Sequence, residues 1–168
     1  MDLQTLVDRA EITDLLTRYA RAVDRQDWDL YRSIFTADAH IDYTQVGGIA
    51  GNVEEVVGFL SQVMGMFESI QHMISNIEIT IDANEADVTA MVYNPLKLPD
   101  SDVWATGGWY HHKLMRTPDG WRSKSLLEEA GWFHGIPAPD KPEANESEAE
   151  AATHDTANAE TGDSSGRR

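Results

Sequence analysis

The chain has 168 residues, 41% of them apolar, which suits one domain with a real hydrophobic core. Its 13 Lys+Arg stand against 29 Asp+Glu, and a formal charge of -16 repels nucleic acid and anionic membranes, so neither is expected as a partner. There is no cysteine, which excludes disulfides, thiolate metal sites and a cysteine nucleophile. Met1-Asp2-Leu3-Gln4-Thr5 lacks the basic start and apolar core of a signal peptide, and no apolar run approaches the roughly 20 residues of a membrane span. A cytoplasmic location is the expectation.

Leu3, Leu6, Val7 and Ala10, then Ile12, Leu15, Leu16, Tyr19, Ala20 and Val23, recur at three- and four-residue spacing. They predict one long amphipathic helix ending near Asp24-Arg25-Gln26. Asp27 reads as the N-cap of a short second helix carrying Trp28, Tyr31, Ile34 and Phe35. A strand is predicted over Ala39–Thr44, then a loop at Gly47-Gly48. Asn52 and Glu55 form a capping-box pattern that opens a third helix, with Val56, Val57, Leu60, Val63, Met64 and Phe67 facing inward.

The rest reads as strands. Ile77, Ile79 and Ile81 alternate with polar residues. Asn84–Asp87 turns the chain into a strand over Val88–Leu98, and a long strand follows over Val103–Arg116. Thr117-Pro118-Asp119-Gly120 is a hairpin turn leading to a last strand, Trp121–Glu128. Helices first and antiparallel strands after predict an α+β fold, a curved sheet wrapped around helices on one face and enclosing a cone-shaped pocket. From Ala138 to Arg168 there are eight acidic and three basic residues and no Val, Ile, Leu, Met, Phe, Tyr or Trp. The predicted organisation is a domain over 1–137 and a disordered acidic tail over 138–168.

An aspartate closing the first helix, Asp24, and a histidine far downstream, His72, can form a general-base dyad. Tyr19 and Tyr43 are candidates to handle a substrate oxygen. His72 shares parity with Ile74 and Glu78 rather than with Ile77, so either a bulge changes the register or His72 faces away from those isoleucines. Tyr110 and His112 share one face of the long strand and are expected to line the cone. His111 points the other way, because neighbours on a strand face opposite sides. No third ligand has suitable spacing, so no metal is expected. Trp132 and Phe133, between Gly131 and Gly135, are expected to fold over the mouth as substrate-contacting residues.

The stretch from Tyr19 through Asp24 to Asp27-Trp28-Asp29, the stretch Phe35 to Tyr43, and the Thr117-Pro-Asp-Gly-Trp-Arg122 hairpin together resemble the SnoaL-like branch of the NTF2-like superfamily. The resemblance covers about residues 3 to 137. Within the branch the chain is most similar to scytalone dehydratase, bacterial bile-acid 7α-dehydratase and hexachlorocyclohexane dehydrochlorinase. It implies an NTF2-like cone with a His–Asp dyad that works without a cofactor, and association into a homodimer or homotrimer through the open sheet face. Asp24 stands where those relatives carry their aspartate, and His72, in Gln71-His72-Met73, where they carry their histidine. Tyr43 matches a substrate-facing tyrosine of scytalone dehydratase, and Tyr19 a tyrosine of the bile-acid enzyme. Two features depart from the pattern: there is no second histidine between Met91 and Leu98, and the dehydrochlorinase-type basic residue near Leu126 is missing. The expected function is a cofactor-independent lyase performing a dehydratase-type elimination on a hydrophobic cyclic or aromatic small molecule. The alternatives are an isomerase using the same dyad and a non-catalytic ligand-binding module.

Overall fold

The computed structural model describes residues 2–136; the tail expected over 138–168 lies outside them. Helix α1 (Leu3–Asp24) begins where the Asp2 side chain accepts the Thr5 N–H at 2.8 Å. It ends where Gln26 adopts a positive φ of 55° and the Asp27 N–H turns back to the Ala22 carbonyl. Asp27 then caps α2 (Trp28–Ile34) by accepting the Leu30 N–H at 3.0 Å. Phe35, expected in the last turn of that helix, instead opens β1 (Phe35–Asp42), and Tyr43 falls just past the strand rather than on it. After a short β2 (Ala50–Asn52), both halves of the Asn52/Glu55 capping box form and start α3 (Val53–Val63).

The sheet is completed by β3 (Ser69–Ile70), β4 (Met73–Asp82), β5 (Glu85–Lys97), β6 (Trp104–Thr117) and β7 (Gly120–His134). Its order is β2-β1-β7-β6-β5-β3, with β4 also paired to β5. Every pairing is antiparallel except β1 with β7. The last strand is longer than Trp121–Glu128: β7 stays paired to β6 as far as Ala105↔His134. Gly131–Gly135 is therefore largely sheet and does not fold over the mouth, because its backbone groups are committed to the ladder.

On β5 the inward run is Ala86, Val88, Ala90, Val92, Asn94 and Leu96, alternating with exposed or half-buried residues. Helix α1 lies in the concave side, its Ile12, Leu15, Leu16, Tyr19 and Ala22 all at 1% exposure or less. Ile12, Leu15 and Leu16 each contribute about 1.5–3 kcal/mol on burial, so packing supplies much of what holds helix to sheet. The start of the helix is pinned by charge. Asp8 accepts both Arg116 guanidinium nitrogens of β6 at 2.7 Å and the Trp121 indole N–H of β7 at 3.3 Å. Arg116 also covers the Trp121 ring at 4.5 Å.

The register question at His72 is resolved by a bulge. Pairing of β4 with β5 shifts between Ser75 and Glu78, where Asn76 has a positive φ of 48°. Ile74 before the shift and Ile77, Ile79 and Ile81 after it all pack against the core, so His72 keeps the inward parity of Ile74.

Candidate active site

Asp24 is the last residue of α1 and His72 immediately precedes β4, so the helix end and the strand start meet at the open end of the cone. The Asp24 carboxylate accepts the His72 backbone N–H, at 3.0 and 3.2 Å to its two oxygens, and His72 Nδ1 at 2.7 Å. An ionised carboxylate only accepts, so Nδ1 carries the proton and Nε2 keeps its lone pair. The imidazole is only 6% exposed. Asn94 of β5 donates its amide N–H to that lone pair at 3.2 Å, and the Asn94 Oδ1 is buried without a partner.

Beyond Nε2 lies a cavity of about 220 Å³ whose lining is mostly apolar, from Val23 of α1, Leu60 and Val63 of α3, Met64, and Leu96 of β5. Its polar points are few: Tyr19, Tyr43, His72, Asn94, Thr106, Tyr110, Glu128 and the Trp104 indole N–H, which is buried and unpaired. No lysine or arginine is among the described lining residues.

Three tyrosines make a hydroxyl chain. Tyr43 lies 2.7 Å from the Tyr19 hydroxyl and 2.9 Å from that of Tyr31. Three hydroxyl protons serve two hydrogen bonds, so one remains. Tyr31 is fully buried behind the cavity with no other described partner. The spare proton is best used when Tyr31 donates to Tyr43, and Tyr43 or Tyr19 then presents a free O–H to the cavity. Burial pushes the phenols of Tyr19, Tyr31, Tyr43 and Tyr110 well up, so all are neutral donors.

Not every expected residue reaches this space. Tyr110 lines it, with its ring edge-on to Tyr19 at 5.2 Å. His112 does not. It lies one layer behind, 1% exposed, packed against Tyr19 and Tyr110. Ser123 spends its hydroxyl proton on the Ser125 carbonyl and so accepts His112 Nδ1–H at 2.9 Å. Burial holds His112 neutral, pushed down to about 3. Trp132 and Phe133 also fall outside the lining. Trp132 pairs across from Gly107 on the outer face, its ring tilted 38° to Tyr93 at 5.9 Å, because the register shift at Gly107/Gly108 changes the parity of that end of β7. Phe133 is half-exposed at the end of the strand.

Two residues not singled out in the sequence belong here. Asn94 is the one polar side chain in the inward run of β5, and that break in an apolar parity was its signal. Glu128, across from Tyr110, shares the inward parity of Leu126 and is 8% exposed. Burial raises its carboxyl to about 7.

The model of the SnoaL-like domain family matches residues 4–126. The uncharacterized protein Rv2910c of Mycobacterium tuberculosis is 36% identical over 124 residues, which is 73% of this chain and 84% of that protein. Among solved structures, the Kfla4162 protein of Kribbella flavida superposes with a TM-score of 0.71 at 31% identity, over 77% of this chain and 95% of that one. The hexachlorocyclohexane dehydrochlorinase LinA-type3 of Novosphingobium barchaimii gives a TM-score of 0.71 at 19% identity, over 84% and 99%, a likeness of fold alone.

Proposed function

The chain belongs to the SnoaL-like domain family, and on that footing we propose that it is a cofactor-independent lyase carrying out a dehydratase-type elimination on a small, hydrophobic cyclic or aromatic compound. One observation carries the reading: a histidine fixed by a carboxylate in the Nδ1–H tautomer, with Nε2 directed at a mostly apolar cavity. His72 Nε2 takes a proton from the carbon next to a carbonyl. Asp24 holds the ring and balances the imidazolium that forms. The free hydroxyl of the Tyr19–Tyr43 chain donates to the carbonyl oxygen as negative charge builds on it. Asn94 covers Nε2, so substrate entry displaces that amide, and its unpaired Oδ1 can then accept from the substrate.

The cavity of about 220 Å³ lies below the roughly 300–1,000 Å³ usual for drug-sized ligands, which favours one or two rings over a sterol. An isomerase returning the proton to another carbon would use the same base and the same hydroxyl. Exposed Met91, Tyr93 and Trp132 on the outer sheet face support association of copies through that face.

The test is a screen of one- and two-ring β-hydroxy ketones for appearance of the conjugated product by absorbance. Turnover should fall about 10²–10⁴-fold in His72→Ala and Asp24→Asn, the usual contribution of a positioned base. Full turnover retained by both variants would sink the proposal.

A further inference from the structure

Glu128 is a buried carboxyl that the dyad mechanism leaves unused. It lines the same cavity as His72, and among the described residues no side chain hydrogen-bonds it. The titratable groups around it are the phenols of Tyr19 of α1, Tyr31 of α2, Tyr43 after β1 and Tyr110 of β6, with the His72 imidazole, its Nε2 lone pair free of a proton, lining the same cavity. None supplies a positive charge. A carboxylate buried without a cation or donor is costly, so the group keeps its proton, and burial is the sole cause of its upward shift to about 7. A structural carboxyl would be paired, as Asp8 is with Arg116. This one is held neutral, unpaired and open to the substrate space.

We propose that Glu128 is the general acid of the elimination and that the leaving group is therefore a hydroxyl, making the substrates β-hydroxy carbonyl compounds of one or two rings. The proposal rests on the elimination reading above and adds its second half. His72 Nε2 takes the α-proton, and the C–H electron pair becomes the new C=C bond. The C–O bond breaks, and the departing oxygen takes the Glu128 proton and leaves as water. The site is then imidazolium and carboxylate, and transfer of one proton through the released water restores both. A halide leaves as an anion without a proton and would have no need of Glu128.

The experiment uses the full chain and two probes that yield the same conjugated enone: the aldol of benzaldehyde with acetone, a one-ring β-hydroxy ketone, and its β-fluoro counterpart. Glu128→Gln should lose water elimination about 10²–10⁴-fold while fluoride elimination persists, which also shows that the variant is folded. His72→Ala should lose both. Infrared difference spectra, wild type minus Glu128→Gln, should show a protonated carboxyl band below pH 7 that vanishes above it. Water elimination retained in Glu128→Gln overturns the acid role, as does a carboxyl already ionised below pH 7. Turnover of neither probe by wild type overturns the elimination reading and the acid role with it. Both eliminations retained in His72→Ala overturns only the dyad.

Discussion

The Asp24 carboxylate accepts two hydrogen bonds from a single residue, the backbone N–H and the ring Nδ1 of His72. The backbone bond positions the residue and the ring bond fixes its tautomer. Both bonds run to the same oxygen, so an amide carbonyl could still accept them and Asp24→Ala is the variant that removes them. Nitrogen-15 NMR of wild type should show a protonated Nδ1 and a bare Nε2, whereas the neutral ring of Asp24→Ala should populate both tautomers. A wild-type ring with its proton on Nε2 would remove the dyad from the mechanism.

Tyr43 sits between two buried hydroxyls, so its loss strands both. Tyr43→Phe should cost roughly 1–3 kcal/mol per orphaned group. Tyr31→Phe, which leaves the Tyr19–Tyr43 bond in place, should cost less. Denaturant midpoints in the reverse order would contradict the chain of hydroxyls.

Glu128 and His112 give opposite pH dependences. The Glu128 carboxyl titrates at about 7 when folded against an ordinary 4.5, so the folded state retains a proton that the unfolded chain has lost, and stability falls as pH rises through that window. The buried His112 titrates at about 3 against 6.5, so stability falls as pH drops below 6.5. From pH 4.5 to 6.5 the two slopes cancel, and the wild-type midpoint should be nearly flat there. Below 4.5 the His112 slope is no longer offset, and Asp8, held near 2 by the Arg116 hydrogen bonds, adds to it below 3.8. Glu128→Gln should slope downward from pH 6.5 toward acid. Above pH 7 it should gain about 3 kcal/mol over wild type, the free energy that separates a carboxyl titrating at about 7 from one at 4.5. Parallel profiles for the two proteins would refute the assignment.

Asp8 is 3% exposed and its two oxygens are filled by Arg116. Arg116→Ala leaves a buried carboxylate with only the Gln4 amide and the Trp121 indole. The expected cost is about 3 kcal/mol, the lower end for a broken buried pair because Arg116 is itself 28% exposed. Thermal unfolding of Arg116→Ala and Arg116→Lys should rank Lys between Ala and wild type. Equal midpoints for all three would mean that α1 is held by packing alone.

The helix starts were legible because their causes are local: Asp27 and the Asn52/Glu55 box each bond groups within three residues. The inward face of β5 was likewise readable from alternation, and Asn94 could have been found there by the same rule. What escaped reading was set by partners distant in sequence. The far end of β7 is a strand because β6 pairs with it, and the aromatic residues Trp132 and Phe133 left the cavity with that pairing. The bulge at Ser75–Glu78, which aims the His72 side of β4 inward, leaves only an ambiguous parity in the sequence. Glu128 reads in the sequence as an ordinary charged residue, although its parity with Leu126 pointed inward.

The parallel pairing of β1 with β7 brings Asp42 beside Leu127 across about half of the chain. Such a contact forms only after a long loop has closed, so it belongs to the slow, late part of folding. Tyr43 follows the first of these strands directly and Glu128 lies in the second, while Tyr19 and Tyr31 come from the helices before them. The phenol cluster and its acid are thus assembled by a long-range closure. A partly folded chain would hold a helix and a hairpin sheet but no chemistry, and recovery of activity on refolding should lag behind recovery of helix.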